Sequence, residues 1–107
     1  MIVVTTSEVA GHRTVESKGQ VFGVVVRSRG LGGNLIAGLR TIFGGEIHEY
    51  TAMVEDARRQ AIDRMCQNAT LMGANAVTRM MFDSSEMGQT MTEIVAYGTA
   101  VIIESVG

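Results

Sequence analysis

EIHEYTAMVEDARRQAIDRMCQNATLMG, residues 46–73, decides the fold. Ile47, Tyr50, Val54, Ala57, Ala61, Met65, Ala69 and Met72 recur in steps of three and four, the spacing that gathers side chains on one side of an α-helix. Glu46 and Glu49 stand in the first turn, where negative charge suits the helix dipole. Gly73 is placed to end the helix as its C′ residue. Glu55, Arg59 and Asp63 follow one another four apart on the other side, a solvated charge ladder. Small side chains at Ala57, Ala61 and Ala69 let the helix axis lie close to a partner surface. Residues 91–105 offer that surface, because Ala96, Gly98 and Ala100 alternate onto one face of a strand. The packing positions of the fold are therefore expected at Ala57, Ala61, Ala69, Gly73, Ala96, Gly98 and Ala100.

Working outward, residues 2–5 form a short β-branched run and residues 8–11 a turn. Residues 14–17 and 20–28 read as strand, with Val15, Val21, Phe22, Val24, Val25 and Val26 supplying the preference. Lys18-Gly19 marks a bulge between the two halves. Phe22, Val24 and Val26 point one way and Val21 and Val25 the other. Both faces are apolar, so both are expected to be covered. A Gly-rich turn at 29–33 leads to a short helix capped by Asn34, with Leu35, Leu39 and Ile42 or Phe43 inward; Gly44-Gly45 breaks it. After the long helix come a strand at 76–82, a polar hairpin loop at 83–90 and the final strand. The order β-β-α-α-β-β gives an α+β fold. It is an antiparallel sheet with one short and one long helix packed on it, as a single domain over residues 1–107.

The net charge is −2, with nine basic residues scattered among eleven acidic ones. No basic stripe is present to neutralise phosphates, which argues against nucleic acid as a partner. No apolar run approaches the length of a bilayer span, and the apolar start at 2–4 is too short for a signal peptide. The single Cys66 rules out an intramolecular disulfide and fits a reducing compartment, so a cytoplasmic location is expected. Gly30, Gly32 and Gly33 lie between a strand and a helix, but Leu35 stands where a dinucleotide fingerprint has its third glycine. No Gly-Lys-Ser/Thr follows for a phosphate loop.

Candidate metal ligands are His12, His48 and Cys66, with Asp83 and Glu86 as carboxylates. They form neither a Cys-x-x-Cys nor a His-x-x-x-His. Met80, Met81, Met87 and Met91 gather around the last hairpin. Thioethers suit Cu(I), and methionine also fills irregular gaps in a core. Cys66 lies beside the apolar stripe with no basic side chain aimed at it, so a buried, inert thiol is expected. Neither histidine neighbours a serine or cysteine in a catalytic pattern. The second face of the final strand, Val95, Tyr97, Val101 and Ile103, is as apolar as the first. Either the N-terminal segment folds over it or another subunit does. These four residues are the candidate oligomer interface.

Gly44-Gly45-Glu46, Tyr50-Thr51, Ala57-Arg58, Ala61, Met72-Gly73-Ala74-Asn75-Ala76-Val77, Phe82-Asp83-Ser84-Ser85-Glu86 and Ala96-Tyr97-Gly98-Thr99-Ala100-Val101 resemble the YbjQ-like bacterial family. Thr5-Thr6 and residues 19–23 fit it as well, so the resemblance runs nearly end to end. It implies a dodecin-like subunit and a ring-shaped homopentamer. It also implies a description as heavy-metal-binding that comes from structural comparison, with no established reaction and no ligand set to transfer. The expected function is a cytoplasmic oligomeric binding or assembly module. It would be its own partner and would hold a soft or heavy metal, or a small ligand, at subunit junctions. The alternatives are an enzyme whose active site is shared between subunits and a purely structural scaffold.

Overall fold

The computed structural model describes residues 1–28, 48–88 and 91–107, with the side chains of 48–50 excepted. The turn expected at 29–33 and the short helix expected from Asn34 lie outside the described residues, as do Ile47 and the tip of the last hairpin. Within them the elements are β1 (Ile2–Val3), β2 (His12–Ser28), α1 (His48–Leu71), β3 (Ala76–Met87) and β4 (Met91–Ser105). They form one four-stranded sheet in the order β1-β3-β4-β2, with the single described helix on one face.

The long apolar strand β4 takes the centre, antiparallel to both β2 and β3. β1 pairs with β3 in parallel, which makes the sheet mixed where an antiparallel one was expected. The cause is the path of the N-terminus. After β1 the chain keeps running along β3, with hydrogen bonds from Val4 N–H to Val77 O, Met80 N–H to Val4 O and Arg79 N–H to Thr6 O. It then crosses to the far side of β4 and enters β2 through a turn closed by His12 N–H on Val9 O at 3.1 Å.

β2 is one strand of 17 residues. Its register slips between Thr14 and Glu16 and again between Ser17 and Gly19, where the bulge was expected. β3 runs five residues beyond the 76–82 expected, because Asp83 to Met87 continue the ladder opposite Val95 to Met91. Backbone pairing with β4 overrides a side-chain composition that by itself suits a turn.

The helix ends at Gly73 with the pair of hydrogen bonds that closes a Schellman motif, Ala74 N–H to Ala69 O and Gly73 N–H to Thr70 O, each at 3.0 Å. Asn75 then behaves as a strand residue through its side chain. Its Nδ2 donates to Ile103 O at 2.9 Å and its Oδ1 accepts from Ile103 N–H at 2.8 Å. Its own N–H donates to Val101 O.

The main core lies between α1 and the sheet. Ala57, Ala61, Met65 and Ala69 pack against Val21, Val25, Ile94, Ala96, Ala100 and Val77. Their closeness is set by Gly23, where a Cβ would fall 2.0 Å from the Ala61 carbonyl oxygen and 2.3 Å from the Met65 nitrogen. Gly98 shares that face, and the atoms nearest to it there belong to β3. A Cβ there would fall 2.7 Å from Val77 Cγ1 and 2.8 Å from the Thr78 carbonyl oxygen. Gly98 thus makes room for the bulge in β3 between Thr78 and Met81, where Arg79 takes a left-handed φ of 54°.

Candidate functional site

β4 alternates, and each face has its own fate. Ile94, Ala96 and Ala100 turn towards α1. On the other face Val101 and Ile103 are buried with Ala76 under Val9 and the half-buried Val4. The N-terminal crossing covers them, so two of the four expected interface residues lie inside the subunit. Val95 and Tyr97, on the same face of the same strand, lie outside that buried cluster and are half-buried.

Register builds the rest of the bare surface. Residues directly opposite in an antiparallel pair share a face. Phe22 lies opposite Tyr97, and Tyr97 opposite Met81; Val24 lies opposite Val95, and Val95 opposite Asp83. Phe22, Val24, Val26 and Met81 are 50, 41, 47 and 58% exposed, so the expectation that both faces of 20–28 are covered is not met among the described residues. The Tyr97 hydroxyl donates to Met81 Sδ at 3.8 Å, tying the row together. The surface is an apolar field about three strands wide, edged by Asp83 and Glu93.

On the helix side a groove of about 690 Å³ runs between α1 and β2, lined by Gln20, Phe22, Val24, Arg64, Gln67 and Asn68 among others. Arg64 and Asn68 reach from the helix to backbone carbonyls of β2, each at 2.7 Å. Arg27 pairs with Asp56 at 2.7 Å, a second tie between strand and helix.

Among the described side chains the metal candidates are not brought together. His12 opens β2 with Nδ1 2.8 Å from Ala10 O. His48 is the first residue of α1. Cys66 is half-buried in the C-terminal third of α1. Burial pushes its thiol up; the Met1 ammonium opposes that shift and Asp63 adds to it. Among the described residues no three His, Cys, Asp or Glu side chains converge on a point. The donor set described in one subunit therefore does not fit a metal centre. Met87 and Met91 face each other across the last hairpin, both about 40% exposed, and Met81 is six ladder rows away.

Gly23 was missed by sequence reasoning. Its signal is a lone glycine within Val21-Phe22-Gly23-Val24-Val25-Val26, where a glycine weakens a strand unless another backbone comes close. The N-terminal cover left a weaker signal, since Val4 and Val9 are separated by four polar residues.

A mixed sheet of four strands carrying one long helix on one face, with an apolar field on the other that is partly exposed among the described residues, defines an α+β subunit. The chain belongs to the YbjQ-like family, whose model, described as "Putative heavy-metal-binding", matches residues 1–104. A UPF0145 protein of Bradyrhizobium sp. (strain ORS 278) is 70% identical over 104 residues, 97% of this chain and 94% of that protein. One from Picrophilus torridus is 59% identical over 106 residues, 99% of this chain and 90% of its own length. Relatives of this kind include archaeal proteins, so the family is not confined to bacteria. A crystal structure of a protein of unknown function of the DUF74 family, from Pediococcus pentosaceus, superposes with a TM-score of 0.67 at 16% identity. It covers 97% of this chain and 98% of that one, and shares its fold. No described helix is long and apolar enough to cross a membrane.

Proposed function

We propose that this chain is a homo-oligomeric binding and assembly module of the cytoplasm, a single domain whose working form is a ring of five subunits. The observation that carries this reading is the apolar field of Phe22, Val24, Val26, Val95, Tyr97 and Met81, the first three and the last exposed and the other two half-buried among the described residues. Removing apolar surface from water is worth about 25 cal/mol per Å², and a second copy of the chain is the partner always at hand in proportion to its own concentration. The elongated outline points the same way. The radius of gyration is 17.1 Å, against about 13 Å for a compact single chain of this length. The number five comes from the family resemblance.

The ligand of the ring, a heavy-metal ion or a small molecule, is bound at junctions between copies, where side chains scattered in one subunit meet those of the next. Size-exclusion chromatography with light scattering at micromolar concentration tests the assembly. The expected mass is about five times the 11.5 kDa subunit, and a mass of one subunit overturns the reading. Native mass spectrometry of protein taken from cells reports the retained ligand. Stoichiometric zinc held by a single dissociated subunit against mild chelation would overturn the junction site.

A further inference from the structure

Arg64 and Asn68 are one helical turn apart on the flank of α1 that overhangs β2. Arg64 Nη1 donates to the Val24 carbonyl and Asn68 Nδ2 to the Phe22 carbonyl, each at 2.7 Å. The direction of those carbonyls follows from β4. Asn75 bonds Val101 O through its backbone and both backbone groups of Ile103 through its side chain. Odd-numbered residues of β4 therefore turn their backbone groups towards β3. All the register shifts put the extra residue in β2 or β3, so the alternation of β4 holds along its length. Tyr97 and Val95 accordingly face β3 as well. Phe22 and Val24, opposite them, turn both N–H and C=O outward, as alternation in an antiparallel ladder requires.

That outward side is the free edge of the sheet, and no strand pairs with it among the described residues. A bare edge is a template for adding a strand from another chain. Here two successive outward carbonyls are already taken by charged and amide donors from the helix. An arriving strand would find its N–H groups without acceptors at both positions, and the guanidinium and carboxamide in its path. Gly23, between the two, brings the helix backbone close enough for both side chains to reach.

We propose that Arg64 and Asn68 close the outer edge of β2 to strand addition, so that a second copy of this chain is received on the sheet face and not at this edge. The closing of the edge stands on geometry alone; the choice of the face rests on the assembly reading above. Residue-resolved amide hydrogen exchange on the full chain tests it. In the wild type the Phe22 and Val24 amides are expected to exchange at least tenfold faster than those of Val21 and Val25, which pair with β4. In an Arg64→Ala/Asn68→Ala double variant, species heavier than the wild-type assembly are expected, with the Phe22 and Val24 amides slowed at least tenfold. Arg64→Lys, which keeps a donor, should retain the wild-type mass. Phe22 and Val24 amides as slow in the wild type as those of Val21 and Val25 would overturn the proposal, and this result does not depend on how the variants fold. A double variant that stays folded at wild-type mass with fast amides would overturn it too. A wild type of one-subunit mass with fast edge amides would sink the assembly reading and leave the closed edge standing.

Discussion

Val101 and Val95 are the same residue type on the same face of the same strand, six positions apart, and they live in different surroundings. Val101 is 3% exposed beneath Val9 and Val4. Val95 lies between Val24 and Asp83, half-buried, outside the cluster that Val9 and Val4 cover. The strand's composition does not distinguish them. The difference is made by the N-terminal chain, which reaches across β4 at Val101 and Ile103 and then turns into β2. An apolar face is thus divided into a part buried in the fold and a part that the described residues leave exposed, and the division falls where the covering segment runs out.

Matched substitutions break or sharpen this contrast, beginning with the largest effect. Val101→Asp places a carboxylate among Val9, Ala76 and Ile103 and should cost about 3–5 kcal/mol, the scale of an unpaired buried charge. Val95→Asp should leave the far-ultraviolet circular dichroism of the fold intact and instead reduce the mass to that of a subunit. Urea midpoints and light scattering at one fixed protein concentration separate the two, since assembly is linked to apparent stability. Equal loss of fold from both substitutions would erase the distinction between the halves.

Next come the close contacts on the helix side. Ala61→Leu, at a fully buried position facing Gly23, and Gly98→Leu, against Val77 and the β3 bulge, should each cost about 1–3 kcal/mol or more by overpacking. Urea midpoints for both should fall below that of Val95→Asp measured as a dissociated subunit.

A smaller effect is expected at Cys66. Its raised pKa means that the folded state holds the thiol proton more tightly than the unfolded one does. That contribution to stability is fully present below the unfolded thiol value and lost as pH rises through the folded one. Reaction with a disulfide reagent should therefore titrate at higher pH in the folded protein than after urea unfolding. A lower folded midpoint would identify an activated thiol. Smallest of all, His12→Ala removes only a short-range contact to Ala10 O at a half-exposed position and should stay within about 0.5 kcal/mol of wild type.

Much of the fold is legible in the sequence because the long helix carries its own ruler. Ala57, Ala61, Met65 and Ala69 are spaced for one face and are the residues buried there. Long-range pairing is harder to read. Asp83 to Glu86 look like a turn until the partner residues 92–95 are known, and parallel pairing of a two-residue strand leaves no local trace. The candidate site was half legible. Period-two alternation identifies an apolar face at Val95 and Tyr97, but no local pattern says that Val4 and Val9 will cover Val101 and Ile103. Gly23 shows the same limit, because its meaning depends on the Ala61 carbonyl 38 positions away.

Asn75 gives the connection between helix and sheet a fixed length. Its amide group stands in the ladder as if it were main chain, two residues after the Schellman glycine and one before β3 begins. One additional residue between Gly73 and Ala76 would carry the amide past Ile103 and exchange the two faces of β3. The buried Val77 would turn outward, and the residues beside it would turn towards α1. This link of Gly73, Ala74 and Asn75 behaves as a gauge block, its length as necessary to the fold as the left-handed glycine that opens it.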